Sequence, residues 1–448
     1  MASQSTAAAT AAASRSRRLS SIFSTSTPRA KPAKPEAAPT PKAPAGEAEP
    51  KPKAGKRLRK PLRKILTRLI RERDPDKLVS GFIEASTASP RFRDRHRVYE
   101  VAVSRLASFG RHDGVTAIID AQKPFLEASN EGFPARLVRL YGRAAMPSHA
   151  AATFRDLPPK HKTVMTFNAL LSAYLDAKDF DALATAFQEI PASNPTVVPS
   201  VYSYNILISA LCQKPDLSAA LDVVALMEKS GLSPDIVSFN TLLNGFYSNG
   251  RMDDAENVWE MMKERNVEPN TKCYNAKLRG LIAEGKIEDA VAVIERMEKD
   301  GPKPDTVTYN ELIRGYCKEG RLDEAKMVYD DLVKNECVPN QGTFHTLVPH
   351  LLEAGELDRA VNCCHEFFSR KCRVNSALIQ GVVTALVAAE RVEEATRIVE
   401  LGRKNFYSRK RLTMPSVEEN NDVEAETDSE DPNIYEEGSE EEDESGKV

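Results

Sequence analysis

The sequence predicts an all-α solenoid built from helix-turn-helix repeats of 35 residues. Three observations predict it. Ala220, Ala255, Ala290, Ala325, Ala360 and Ala395 fall 35 residues apart. Asn205, Asn240, Asn275 and Asn310 keep that spacing, each directly after an aromatic residue: Tyr204, Phe239, Tyr274 and Tyr309. Pro234-Asp235, Pro269-Asn270, Pro304-Asp305 and Pro339-Asn340 repeat in the same register. A fixed period in this range marks stacked supersecondary units. Such an array displays a long surface rather than one enclosed pocket.

The chain begins with residues that read as an import segment and a linker, 1–55. No acidic residue precedes Glu36, while Arg15, Arg17, Arg18 and Arg29 stand among Ala, Ser and Thr. An Arg- and Ser-rich, acid-poor start reads as an organelle transit peptide, and the arginines so early favour the mitochondrion over the plastid. Eight prolines between residues 27 and 56, mixed with Ala and Lys, read as an extended linker. Residues 56–74 are basic, with Leu62, Ile65, Leu66, Leu69 and Ile70 at helical spacing. They read either as the first helix of the array with a solvated basic face or as an arm that contacts RNA or a ribosome. Residues 56–163 fit degenerate helical repeats (61–95, 96–130 and 131–163). The regular array spans 164–410, in units 164–200, 201–235, 236–270, 271–305, 306–340 and 341–375, with a degenerate unit 376–410. Residues 411–448 form an acidic tail read as disordered, in which Ser439 precedes three glutamates.

Charge follows this division. Residues 1–71 hold 17 Lys/Arg and 3 acids, a net of +14; residues 418–448 hold 15 acids and one lysine, a net of −14; the middle carries −3.

Within a unit the apolar pattern resolves into two helices. Phe239, Leu242, Leu243 and Phe246 line one face of the first, with Ser238 expected as its N-cap. Gly250 is expected to stop it in a left-handed conformation. Ala255, Val258, Trp259 and Met262 line the second, with Asp253 expected as its cap. Pro269 ends the unit, since it lacks a backbone N–H. The alanine is small because the two helices cross closely there.

Few residues point to chemistry. No stretch approaches the ~18 apolar residues that span a bilayer, so no membrane partner is expected. The seven cysteines form no C-x-x-C pair, and Cys363, Cys364 and Cys372 read as buried or half-buried thiols. Gly280 to Ile287 imitates a phosphate loop, but isoleucine stands where Ser or Thr must hold magnesium. The same glycine pair recurs at Gly245/Gly250 and Gly315/Gly320, so it belongs to the repeat.

The run VTYNELIRGYCKEGRLDEAKMVYDDLVKNECVPN, residues 307–340, resembles the consensus of the pentatricopeptide repeat family, P-class, in its plant mitochondrial form. The likeness covers residues 56–410 and is most specific over 164–360. It implies a right-handed superhelix that reads single-stranded RNA, one base per unit, through the fifth and last residues. Those pairs are Asn168 with Ser200, Asn205 with Asp235, Asn240 with Asn270, Asn275 with Asp305, and Asn310 with Asn340. The family's code assigns them C, U, pyrimidine, U, pyrimidine. His345 with Asn375 departs from the pattern. The second residue of each unit is implied to wedge between bases: Met165, Tyr202, Val237, Lys272 and Val307, but not Gly342. The family often places lysine near the end of the first helix; here Asp176, Gln213, Ser248, Ala283, Lys318 and Glu353 stand there, and Lys318 alone is basic. Some plant members carry a deaminase module, which needs H-x-E and C-x-x-C to hold zinc; neither pattern occurs in this sequence. No catalytic residue, metal, cofactor or small-molecule substrate is expected. The implied function is a non-catalytic RNA-binding adaptor of mitochondrial RNA metabolism (stability, processing or translation). The alternative is a scaffold in the small subunit of the mitochondrial ribosome, with ribosomal proteins as partners.

Overall fold

A computed structural model describes residues 59–405, apart from Pro215, together with residues 412–414. The expected transit peptide, linker and acidic tail, including Ser439, lie outside the described residues. Among the described residues there are 21 α-helices and no strand. The first seven are α1 (Arg59–Arg71), α2 (Pro75–Ala88), α3 (Pro90–Arg93), α4 (His96–Ser108), α5 (His112–Asp120), α6 (Gly132–Arg143) and α7 (Pro147–Arg155). Seven helix pairs follow: α8 (Val164–Asp176) and α9 (Phe180–Ser193); α10 (Val201–Gln213) and α11 (Leu217–Lys229); α12 (Ile236–Ser248) and α13 (Met252–Glu264); α14 (Thr271–Ala283) and α15 (Ile287–Asp300); α16 (Thr306–Lys318) and α17 (Leu322–Lys334); α18 (Gln341–Glu353) and α19 (Leu357–Ser369); α20 (Ser376–Ala388) and α21 (Val392–Asn405).

The pairs stack in chain order. The first helices of successive pairs pack on one another in an unbroken layer, from α6 through α8 to α20, while each second helix docks chiefly on its own partner. The apolar stripes explain this. Phe239, Leu242, Leu243 and Phe246 on α12 and Ala255, Val258 and Met262 on α13 are essentially inaccessible to water, and Trp259 is half-buried. Ala220, Ala255, Ala290, Ala325, Ala360 and Ala395 all have 0% exposure. They are the points where a second helix meets the layer, and a larger side chain there would overpack the junction.

Two cap assignments differ from the sequence expectation. Asp235 is the N-cap of α12, extended at φ −104° and ψ 178°, and Ser238 lies one turn inside the helix. The helix start is a reciprocal box: the Ser238 N–H donates to Asp235 Oδ1 at 2.8 Å, and the Asp235 N–H donates to Ser238 Oγ at 3.3 Å. For α13 the N-cap is Arg251, which makes no side-chain cap bond, and Asp253 sits in the first turn. There its charge complements the positive end of the helix dipole. Gly250 takes φ +68° after α12, as expected of a helix stop.

A close backbone approach in the layer joins α6 to α8. A Cβ on Gly142 would stand 2.4 Å from the Ala173 Cα and 2.7 Å from its Cβ. Only glycine fits there. The glycines of the phosphate-loop imitation also have structural roles. A Cβ on Gly280 would meet the Tyr247 ring at 2.8 Å, and Gly285, like Gly250, has positive φ. At the start of the described chain, α1 buries Leu69 and packs Leu62, Ile65, Leu66 and Ile70 against the core, lying along α4.

Candidate nucleic-acid interface

The first helices of the array place one asparagine per unit at the same height: Asn168, Asn205, Asn240, Asn275 and Asn310. Each lies one turn above its helix start. The last residue of each unit, Ser200, Asp235, Asn270, Asp305 or Asn340, is the N-cap of the next first helix. The two predicted site columns therefore face each other across the seam between adjacent helices.

A third column links them. The side chain three residues past each cap donates to the asparagine of the preceding unit. Ser203 Oγ reaches Asn168 Oδ1 at 2.6 Å, Ser238 Oγ reaches Asn205 Oδ1 at 2.6 Å, and Thr308 Oγ1 reaches Asn275 Oδ1 at 2.8 Å. Thr343 Oγ1 reaches Asn310 Oδ1 at 2.7 Å, and the Cys273 thiol takes the same part toward Asn240 at 2.9 Å. An amide oxygen fixed by a hydroxyl donor leaves the NH₂ group turned toward the cap. Asn205 Nδ2 duly donates to Asp235 Oδ1 at 3.3 Å, Asn275 Nδ2 to Asp305 Oδ1 at 3.4 Å, and Asn310 Nδ2 to Asn340 Oδ1 at 3.1 Å. This third column was readable from the same 35-residue period at Ser203, Ser238, Cys273, Thr308 and Thr343. Hydroxyl residues so close to a helix start look like caps themselves, which hides their link to the neighbouring unit.

The units are not equivalent. Asn205 and Asn275, which face aspartates, are 7% and 4% exposed, whereas Asn168, Asn240 and Asn310 are half-buried. Burial pulls the Asp235 carboxyl upward, but hydrogen bonds from the Ser238 N–H and hydroxyl and from the Asn205 amide outweigh it, so it ionises below its ordinary 3.8. Asn270 spends its side-chain oxygen on the Lys272 and Cys273 N–H groups. At the divergent pair, the Asn375 N–H donates to His345 Nε2 at 3.3 Å, so the imidazole replaces the amide as acceptor.

Beside this ladder stand the second-position side chains. Met165, Tyr202, Val237 and Val307 are about half exposed despite their apolar character, and Lys272 is exposed. At the far end of the first helices Lys318 is exposed and forms no ion pair among the described residues, next in line to Ala283 and Glu353. Arg279 and Arg314 of the same layer are engaged. Arg279 Nη2 donates to Asn244 Oδ1 at 2.7 Å and Nη1 lies 3.5 Å from Glu311, which also holds Arg314. The thiols are buried or half-buried. Burial pushes Cys212 up to about 12 and Cys317 up to about 11, which keeps them protonated and unreactive near neutral pH. No group of three or more His, Cys, Asp or Glu among the described residues is arranged to hold a metal, and no helix there is long and apolar enough to cross a membrane.

Residues 199–248, 234–282, 270–318 and 304–353 each match the profile of the PPR repeat family. These units are pentatricopeptide repeats. Two curated relatives from Arabidopsis thaliana are small ribosomal subunit protein mS78 (rPPR3a), 39% identical over 175 residues, and small ribosomal subunit protein mS79 (rPPR3b), 36% identical over 174 residues. In each case the match covers 38% of this chain and 44% of the relative, so the chain spans less than half the length of the curated relatives it matches. Among solved structures, the pentatricopeptide repeat protein PPR10 in complex with an 18-nt psaJ RNA element is 19% identical, with a TM-score of 0.43 over 78% of this chain and 54% of that one. That likeness is too slight to place a ligand on this chain.

Proposed function

We propose that this pentatricopeptide repeat protein is a non-catalytic RNA-binding adaptor of mitochondria. It holds single-stranded, pyrimidine-rich RNA along α8 to α18, one base per unit, in transcript stability, processing or translation. The observation that carries this reading is the oriented amide ladder. With each oxygen held by the next unit's Ser, Thr or Cys, Asn205, Asn275 and Asn310 donate one N–H to the cap, and one N–H remains to donate to a base. Where the cap is Asp235 or Asp305, a carboxylate acceptor stands beside that donor. Donor next to acceptor complements the O4 and N3–H edge of uracil. Met165, Tyr202, Val237 and Val307 supply exposed apolar faces, at most one per unit, on which bases can stack. The mitochondrial location draws support from relatives whose names carry it, one of them 34% identical over 178 residues.

Crosslinking of the tagged protein in isolated mitochondria, with the bound RNA sequenced, tests the reading. Pyrimidine-rich footprints are expected, lost on joint Asn205→Ala, Asn240→Ala and Asn275→Ala substitution. Footprints without pyrimidine preference, indifferent to those changes, overturn it. A second reading, a resident of the small ribosomal subunit, is favoured by the names of the two relatives described above. It requires crosslinks to ribosomal RNA and co-sedimentation with the small subunit, and it fails if the protein remains in light fractions at physiological salt.

A further inference from the structure

The geometry points to a second RNA-contacting surface: residues 59–163 grip the phosphate backbone without regard to sequence, and the array reads the strand they hold. This rests on the RNA reading above and adds a place of attachment to it. Charge divides the described chain at the seam between α7 and α8. Residues 59–163 hold 21 Lys/Arg against 11 Asp/Glu, a net of +10, whereas residues 164–405 hold 26 against 36, a net of −10. A polyanion is therefore repelled by the very region that carries the reading column, unless something else holds it.

In both regions some cations join successive units; in residues 59–163 Arg111 meets Asp76 at 2.8 Å. In the array they staple successive units. Lys214 meets Asp181 at 2.6 Å, Arg321 meets Glu288 at 3.1 Å, Arg359 meets Asp323 at 2.8 Å and Arg391 meets Asp358 at 2.6 Å, each partner lying in the preceding unit. In residues 59–163 a few arginines hold the fold. The Arg93 guanidinium lies 3.8 Å from the Phe125 ring centre, Arg136 donates to the Arg93 carbonyl, and Arg105 donates to the Ile70 carbonyl, which ties α4 to the end of α1. Lys77, Arg111, Lys123, Arg143 and Lys160 pair with carboxylates, and seven others form two groups. Arg63, Lys64, Arg68 and Arg71 occupy the solvent side of α1, which has no acidic residue, and Arg91, Arg95 and Arg97 surround the turn between α3 and α4. All seven are exposed, and none forms an ion pair among the described residues. Six of the seven are arginines, whose planar fork suits phosphate oxygens. Because α1 packs along α4, the two groups belong to adjacent units of one stack.

The test uses the full chain and a fluorescent oligoadenylate of about 20 nucleotides, a sequence the array is not expected to read, titrated from about 50 to about 200 mM salt. The wild type is expected to bind with log K falling linearly against log salt. Joint Arg91→Gln, Arg95→Gln and Arg97→Gln substitution should lower that slope by about 2 and weaken binding roughly 10- to 100-fold at about 0.1 M salt, as loss of three phosphate contacts to a single strand requires. Joint Arg63→Gln, Arg68→Gln and Arg71→Gln substitution should act alike. The matching Arg→Lys triples should keep the slope, with thermal melts by circular dichroism coinciding with wild type throughout. The proposal is overturned if both Gln triples bind oligoadenylate as the wild type does. It is equally overturned if the wild type ignores RNA but binds polyglutamate, which would make this a docking surface for acidic proteins. The asparagine triple separates the two claims. If its pyrimidine footprint vanishes while the arginine variants behave as wild type, only the reading column stands. If oligoadenylate binding depends on the arginines but no pyrimidine footprint exists, only the grip stands.

Discussion

In the array, α12, α14, α16, α18 and α20 each begin at a side chain that bonds a backbone N–H of its first turn, from Asp235, Asn270, Asp305, Asn340 and Asn375. In residues 59–163, α4, α5, α6 and α7 begin at Arg95, Arg111, Glu131 and Met146, none of which makes such a bond. Both regions stack helix pairs in one layer, so stacking alone does not demand the caps. What the array gains is a second use for each helix start. Asp235, Asp305 and Asn340 satisfy a backbone donor and also receive the neighbouring asparagine, presenting it in one orientation. Among the N-terminal helices Asp74 caps α2 but receives no asparagine, and seven exposed cations there form no ion pair among the described residues. On the two proposals above, one region discriminates and the other adheres.

Five substitutions, in four tests, break or sharpen this contrast. The largest effect is expected where the regions meet. Gly142→Ala drives a methyl into the Ala173 backbone, which cannot yield as a flexible side chain would. The cost should be about 3 kcal/mol, read as a lowered urea midpoint of the full chain. Within the array, Ala290→Leu overpacks a position of 0% exposure and should cost about 2 kcal/mol in the same assay. A midpoint equal to wild type would mean that the alanine ladder is not a packing constraint. Next come the helix starts. Asp305→Ala should cost about 1 kcal/mol, whereas Arg95→Ala, which removes no cap bond, should change stability by less than about 0.5 kcal/mol. Equal losses would erase the difference between the regions.

The smallest effect is in acid. The Asp235 carboxyl is held below its ordinary 3.8 in the folded chain, so its contribution is complete above that value and disappears as pH falls through the lowered one. Asp235→Asn should therefore flatten the loss of stability between about pH 4 and pH 2, seen in pH-dependent thermal melts. A wild-type acid profile for this variant would show that the carboxylate is not held by Ser238 and Asn205.

The repeat was legible because each unit records the same demands. A buried alanine, a stop after the first helix and an aromatic before the asparagine recur wherever helices of one shape stack. The caps differ from the expected residues by three positions at Asp235 and by two at Arg251, for physical reasons. Asp235 and Ser238 bond each other reciprocally, so either could serve as the cap, and only the extended backbone of Asp235 decides between them. Arg251 offered no signal at all, since α13 starts without a side-chain acceptor. The inequality among the asparagines was also hidden. Asn205 is buried by its aspartate, while Asn240 faces a thiol and a cap already engaged with its own helix, which depends on contacts between units. The central charge of −3 concealed the opposition of its two halves, because a sum over a long segment cancels what lies at its ends.

The contact between Gly142 and Ala173 packs the part proposed to adhere directly on the part proposed to discriminate. On those two proposals, a strand held at one end reaches Asn168 in a fixed register. The joint makes the protein a ruler: the preferred pyrimidines should fall at a constant number of nucleotides from the protected edge of every footprint, whatever the transcript.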